Sequence, residues 1–155
     1  MRIRPGRPED AAAMAAIYRR AVEVTGARDY APAQVAVWRD HGPDLAGMWR
    51  RLGDGRRTWV AVNEDDAVVG FVDLEADGHI DLLYVDPAAG GRGVAAALLD
   101  RLEAEAAAAG LKRLYVEASE TARPVLLKRS FVDLGRRDLR VADTPIHNYA
   151  MAKSL

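Results

Sequence analysis

Apolar and polar positions change their period along this chain, and each change marks an element. Ile3 sits in a short extended start that Pro5-Gly6 ends. From residue 8 or 10 to 24, Met14, Ile17, Tyr18, Ala21 and Val22 recur at helical spacing, with proline and acids at the start. Residues 32–38 and 44–52 predict two shorter helices, with Val35/Trp38 and Leu45/Met48/Trp49/Leu52 as their apolar stripes. The period then shortens. Residues 58–62 and 67–75 flank the turn Glu64-Asp65-Asp66, and Asp77-Gly78 leads into residues 79–85. This pattern predicts three consecutive antiparallel strands.

Beyond Val85 a glycine-rich loop opens a long Ala/Leu helix, residues 94–109, which Gly110 stops. A strand resumes at residues 114–116, so strand, helix and strand predict a right-handed crossover and a parallel pair. Ser119 or Thr121 caps a further helix at 122–129, and residues 131–140 and 148–153 are the closing strands. Nothing repeats and no linker divides the chain. We read a single domain, residues 1–155, of class α/β (α+β), without the regular alternation of a doubly wound sheet.

Composition narrows the chemistry. The 155 residues carry 22 Lys+Arg against 23 Asp+Glu, a net charge of −1, and so lack the global basic field of a nucleic-acid binder. Alanine, with 29 residues, inflates the hydrophobic fraction of 50 %. Without cysteine there is no disulfide, thiolate metal site or cysteine nucleophile, as fits a reducing compartment. The start MRIRPGRPEDAAAM has no apolar leader and no stretch is long enough to span a bilayer, so the expectation is a soluble cytoplasmic protein with no membrane partner.

The informative segment is Gly90-Gly91-Arg92-Gly93-Val94-Ala95-Ala96, between strand and helix. Glycines admit a ligand close to the backbone, and the first N–H groups of a helix have no intrahelical partner; with the dipole, that makes an anion site. No Walker ending follows. Gly91, Gly93 and Ala96, with Glu117 as a ribose carboxylate, formally match a dinucleotide fingerprint. The loop from 85 to 91 is too long for that tight turn, and no run of βα units follows.

From HIDLLYVDP through GGRGVAAALLDRL to VEASETARPVLLKRSF the sequence resembles the GCN5-related N-acetyltransferase (GNAT) superfamily, most clearly from Thr58 to the end. The resemblance implies a mixed, mostly antiparallel sheet of six to seven strands with helices on both faces. It also implies acetyl-CoA as co-substrate. The pyrophosphate would lie on the N–H groups of residues 91–96, and the pantetheine arm would bond like an added strand along Leu83, Tyr84 and Val85. Ser119 stands where the family often has Asn, and would either bond the arm or cap its helix. Arg92, Arg123, Lys128 and Arg129 are the candidate cations for the phosphates, each with a solvated surface charge as the alternative. The family's leading Gln/Arg is Gly90 here, and its proton-donating Tyr is Leu126.

His79 and Asp81, two apart on one strand, share a face and form the candidate base pair. Tyr30 and Tyr149 are the acceptor-site candidates; Trp38 and Trp49, at helical spacing, read as core. His41 and His147 read as loop residues on the surface. No metal-ligand spacing is present. The expectation is direct acetyl transfer to a primary amine of a small molecule or peptide, with a homodimer as the family's common state. The alternatives are a degenerate GNAT domain that binds CoA as a sensor or interaction module and, less favoured, a dinucleotide-binding domain.

Overall fold

The computed structural model describes all 155 residues. Strand β1 (Arg2–Pro5) precedes a 3-10 turn and helix α1 (Ala11–Arg20). The predicted single helix to residue 24 holds, but its last part, Ala21–Thr25, is wound as a π turn before a 3-10 turn at Gly26–Arg28. Such turns re-aim a helix end and are often found beside functional sites. Helices α2 (Pro32–Asp40) and α3 (Leu45–Leu52) follow, α3 starting where the Asp44 side chain accepts the Gly47 N–H at 2.9 Å. Then come β2 (Arg57–Val62), β3 (Val68–Leu74), β4 (His79–Val85), α4 (Val94–Ala108), β5 (Arg113–Ala118), α5 (Ala122–Lys128), β6 (Val132–Val141) and β7 (Thr144–Ser154).

The strands form one seven-stranded sheet in the order β1-β2-β3-β4-β5-β7-β6, antiparallel except at β4–β5. Both faces are covered. Leu98, Leu99 and Leu102 of α4 and Leu126 of α5 close one core with Val72, Leu74, Ile80 and Met151. On the other face Met14 and Ile17 of α1, Val35 of α2 and Met48 of α3 close against Val60, Phe71 and Leu82. Gly70 lets α4 start close to the sheet, since a Cβ there would stand 2.8 Å from Val94 Cγ1. No helix is long and apolar enough to cross a membrane.

Two sequence expectations change. The closing strand begins at Thr144, not 148, because Ala142 and Asp143 both adopt positive φ and make a two-residue hairpin turn with β6. Trp49 does not enter the core but is 60 % exposed, since Met48 supplies the buried position of α3.

The feature that makes the site is a split. Parallel β4 and β5 pair only at His79↔Tyr115 and Ile80↔Val116. On the β3 side, Val72 pairs with Leu83 and Leu74 with Ile80, so Asp81 and Leu82 together oppose Asp73 in a β-bulge. The Asp73 carboxylate accepts the Leu82 N–H at 2.8 Å and satisfies the bulge. Beyond it β4 diverges from β5, and residues 83–85 keep no backbone partner on the β5 side.

Candidate active site

At the mouth of the split, the chain leaves β4 through a 3-10 turn, Pro87–Ala89, and enters α4 at Gly93. Gly91 and Gly93 have φ of 73° and 76°, and a Cβ on either would meet nothing within 4 Å. The first helical bond is Ala97 N–H to Gly93 C=O, at 3.0 Å, so every N–H from Gly91 to Ala96 lacks a partner in the protein. These donors border a cleft of about 530 Å³ between Leu83, Tyr84 and Val85 on one side and the π turn and α5 on the other. Gly90, Val94, Ala95 and Ala96 line it as well. Its dimensions and donors fit a long anionic ligand with a strand-like arm.

The structure sorts the basic residues. Arg123 is committed to Asp133 and Arg129 to Asp100 and Glu103. Arg92 lines a separate groove, together with Asn63 and Val68, and is not among the residues that line the cleft. Lys128 borders the cleft with no carboxylate partner, and so does Arg28, which sequence reading missed. Arg28 follows the π turn, whose geometry left no sequence mark. Ser119 caps α5, its Oγ accepting the Ala122 N–H at 3.2 Å, while also bordering the cleft.

A second cavity, about 180 Å³, opens on the other side of the split. The two share Trp38, Leu83, Tyr84, Ser119 and Ala122, so Trp38, half-buried against the α1–α3 core as expected, is also a wall of both. Apolar walls come from Leu139, Val141 and Ile146, and acidic groups from Asp81 and Glu117. Tyr30 borders this cavity, its hydroxyl donating to the His147 carbonyl at 3.0 Å and accepting the Glu120 N–H at 3.1 Å. Tyr30→Phe leaves both backbone groups unpartnered, so the unfolding free energy is expected to fall by about 1–3 kcal/mol. Urea denaturation of both proteins measures it.

Tyr149 does not reach the cavity; its hydroxyl donates to Glu120 at 2.6 Å and its ring lies 4.3 Å from the Arg123 guanidinium. His147, expected on a surface loop, instead sits in β7, borders the cavity with a side chain 15 % exposed, and bonds Glu120 at 2.6 Å. The early start of β7 is what brings it there. His41, by contrast, is exposed after α2, with Nδ1 2.9 Å from the Val37 carbonyl.

His79 and Asp81 do share a face, but they are not a base pair. Asp81 is held by Arg51 and, at 3.2 Å, by Arg56, both of which also hold the buried Asp73. Burial raises the Asp81 carboxyl, yet Arg51 and Arg56 outweigh it and keep it below the usual carboxylate range. His79 lies between two other acids, with Nδ1 2.6 Å from Glu75 and Nε2 3.0 Å from Glu117, and is stacked on Tyr115 at 4.8 Å. Burial works against the charged ring, but Glu75 and Glu117 lift its pKa above the ordinary histidine value. Glu75, His79 and Asp81 place ligand atoms within 4.8 Å of one another, a cluster the sequence spacing did not announce. Each of those groups is already engaged by a counter-charge.

A sheet split at a bulge, with an N–H-lined loop at its mouth and a second cavity behind, can hold a long anionic ligand against a second molecule at the split. Comparison gives the family. The sequence model of the Acetyltransferase (GNAT) domain matches residues 26–153. The chain is 34 % identical over 134 residues to the uncharacterized N-acetyltransferase YafP of Escherichia coli K12, covering 84 % of this chain and 81 % of that one. It is 34 % identical over 98 residues, 63 % of this chain and 60 % of its relative, to the peptidyl-lysine N-acetyltransferase YjaB of the same organism. A GCN5-related N-acetyltransferase structure from Rhodopseudomonas palustris superposes with a TM-score of 0.91 at 38 % identity, covering 99 % and 95 % of the two chains. PaiA N-acetyltransferase from Thermoplasma acidophilum, solved with coenzyme A, shares the fold, with a TM-score of 0.80 at 16 % identity over 99 % and 98 %. The chain belongs to the GNAT acetyltransferase family.

Proposed function

We propose that this protein transfers the acetyl group of acetyl-CoA to a primary amine by direct attack in a ternary complex. The observation that carries the reading is the meeting of the two cavities at the split, where they share Leu83, Tyr84 and Ser119. The donors of residues 91–96 hold the pyrophosphate, with Lys128 and Arg28 beside them. The open edge of residues 83–85 takes the pantetheine amides as a strand would. That places the thioester at the split and the amine in the second cavity, whose acidic groups favour an ammonium and whose apolar walls favour its chain. A lysine side chain of a peptide has that form.

What the cavity holds supports direct attack. The chain has no cysteine, and the Ser119 hydroxyl has no histidine bonded to it, so no activated nucleophile stands ready for a covalent step. Leu126, fully buried, donates no proton to the leaving sulfur. A thiol with a pKa near about 8.5 leaves without that help at moderate cost.

Thermal shift with acetyl-CoA, CoA and NAD(P), followed by thiol release over a panel of primary amines, tests the reading. Acetyl-CoA at a hundred times its Kd is expected to stabilise the fold by about 2.7 kcal/mol, with NAD(P) inert. No stabilisation by acetyl-CoA overturns the proposal. Stabilisation without thiol release makes the protein a CoA-binding module instead.

A further inference from the structure

We infer that Glu117 is the group that takes the proton from the incoming amine, and that His79 is its positioning residue. The inference rests on the transferase reading above. Three acidic side chains face the split on the α1–α3 side of the sheet: Asp81, Glu117 and, further back, Asp73. Asp73 is 1 % exposed and occupied with the bulge N–H and two arginines. Asp81 is neutralised by the same two arginines. Glu117 borders the cavity, forms no ion pair with any arginine or lysine, and keeps a side chain 35 % exposed. Of the three it is the carboxylate that borders the cavity with no arginine or lysine upon it, its one ionic partner being His79.

What fixes Glu117 is the other side of the histidine. His79 Nε2 lies 3.0 and 3.2 Å from the two Glu117 oxygens, and Nδ1 is anchored on Glu75. The ring is also clamped face-on by Tyr115, whose hydroxyl donates to Asp77 at 2.5 Å. The parallel register His79↔Tyr115 places these groups side by side, and Glu117 follows two residues later on the same face of β5. His79 touches neither cavity and acts through Glu117. The charged groups around the ring are Glu75, Glu117, Asp81, Asp77 and, over the Tyr115 ring at 5.5 Å, Arg113.

In the step, an ammonium N–H bond breaks and its proton passes to a Glu117 oxygen. The freed lone pair forms the C–N bond with the acetyl carbon. The C–S bond breaks with its pair on sulfur, and the remaining surplus proton of the nitrogen ends on that sulfur, directly or through solvent. Glu117 then gives its proton to water, so amide, thiol and one released proton balance the equation.

Thiol release with hexylamine and a lysine-containing peptide at saturating acetyl-CoA tests this. Glu117→Gln, which keeps an acceptor for His79, is expected to lower kcat about 10²–10⁴-fold with the KM for acetyl-CoA unchanged. Its residual rate rises with pH as the free amine does, and Glu117→Asp restores part of the loss. His79→Gln lowers kcat less, about tenfold, and removes the basic limb that the charged ring gives the wild-type profile. Thermal melts of all variants confirm that they fold. Wild-type kcat in Glu117→Gln, or equal losses in the Gln and Asp variants, overturns the assignment. A wild-type protein that binds acetyl-CoA yet releases no thiol with either amine overturns the transferase reading first, and the base with it.

Discussion

Gly93→Glu is expected to weaken acetyl-CoA binding by at least about a hundredfold, close to 3 kcal/mol, while the protein stays folded. The two halves of that statement have separate causes. A Cβ at Gly93 meets nothing within 4 Å, so the side chain enters open space and does not collide with the fold. That open space is where the proposed pyrophosphate lies. A non-glycine residue at φ 76° also costs on the order of 1 kcal/mol or more, which the free loop relaxes and the bound loop pays. The carboxylate then sets a negative charge against the diphosphate at the positive end of α4. Gly93→Ala carries the strain without the charge and should lose much less. Isothermal titration with acetyl-CoA on all three proteins separates the terms. Equal affinity in wild type and Gly93→Glu would move the pyrophosphate off this loop.

The geometry of the glycine loop was legible in the sequence because it is carried by backbone. Gly91 and Gly93 announce positive φ and close approach, and the helix after them announces unpaired N–H groups; neither needs a distant partner. The strand order up to β5 was legible for a similar reason, since Asp77-Gly78 and the change from period two to the Ala/Leu helix are local signals. The end of the chain was not. A hairpin turn at Ala142-Asp143 has neither the Asn-Gly nor the Asp-Gly signature, so the start of β7 went unread and His147 was left on the surface. The charge partners of His79 and Asp81 also resisted reading. His79 and Asp81 are neighbours in sequence, but Arg51, Arg56, Glu75 and Glu117 decide what each does, and those arrive from α3 and its following loop, the end of β3, and β5. Charge partners at long sequence separation leave no periodicity.

Asp73→Ala should be the most destabilising single change at the site, by about 3 kcal/mol, because it strips the buried acid from a half-buried pair of arginines. Asp73 is 1 % exposed, and burial pushes its carboxyl up against the pull of the Leu82 N–H and Arg51. Alanine leaves the Leu82 N–H without an acceptor at the bulge and leaves Arg51 and Arg56 sharing Asp81 alone. Arg51 Nε is already buried without a partner, so that guanidinium has no spare contact to fall back on. Asp73→Asn divides the loss, since its side-chain oxygen still accepts the Leu82 N–H while the charge is gone. If the bulge bond dominates, Asn recovers most of the stability and alanine does not; if the ion pairs dominate, both variants fall together. Chemical denaturation gives the energies, and acetyl-CoA affinity gives the consequence for the site. The bulge is what turns β4 away from β5, so a relaxed bulge would let the strands close along residues 83–85. Loss of cofactor affinity in Asp73→Ala beyond that in Asp73→Asn would show that this buried carboxylate keeps the split open.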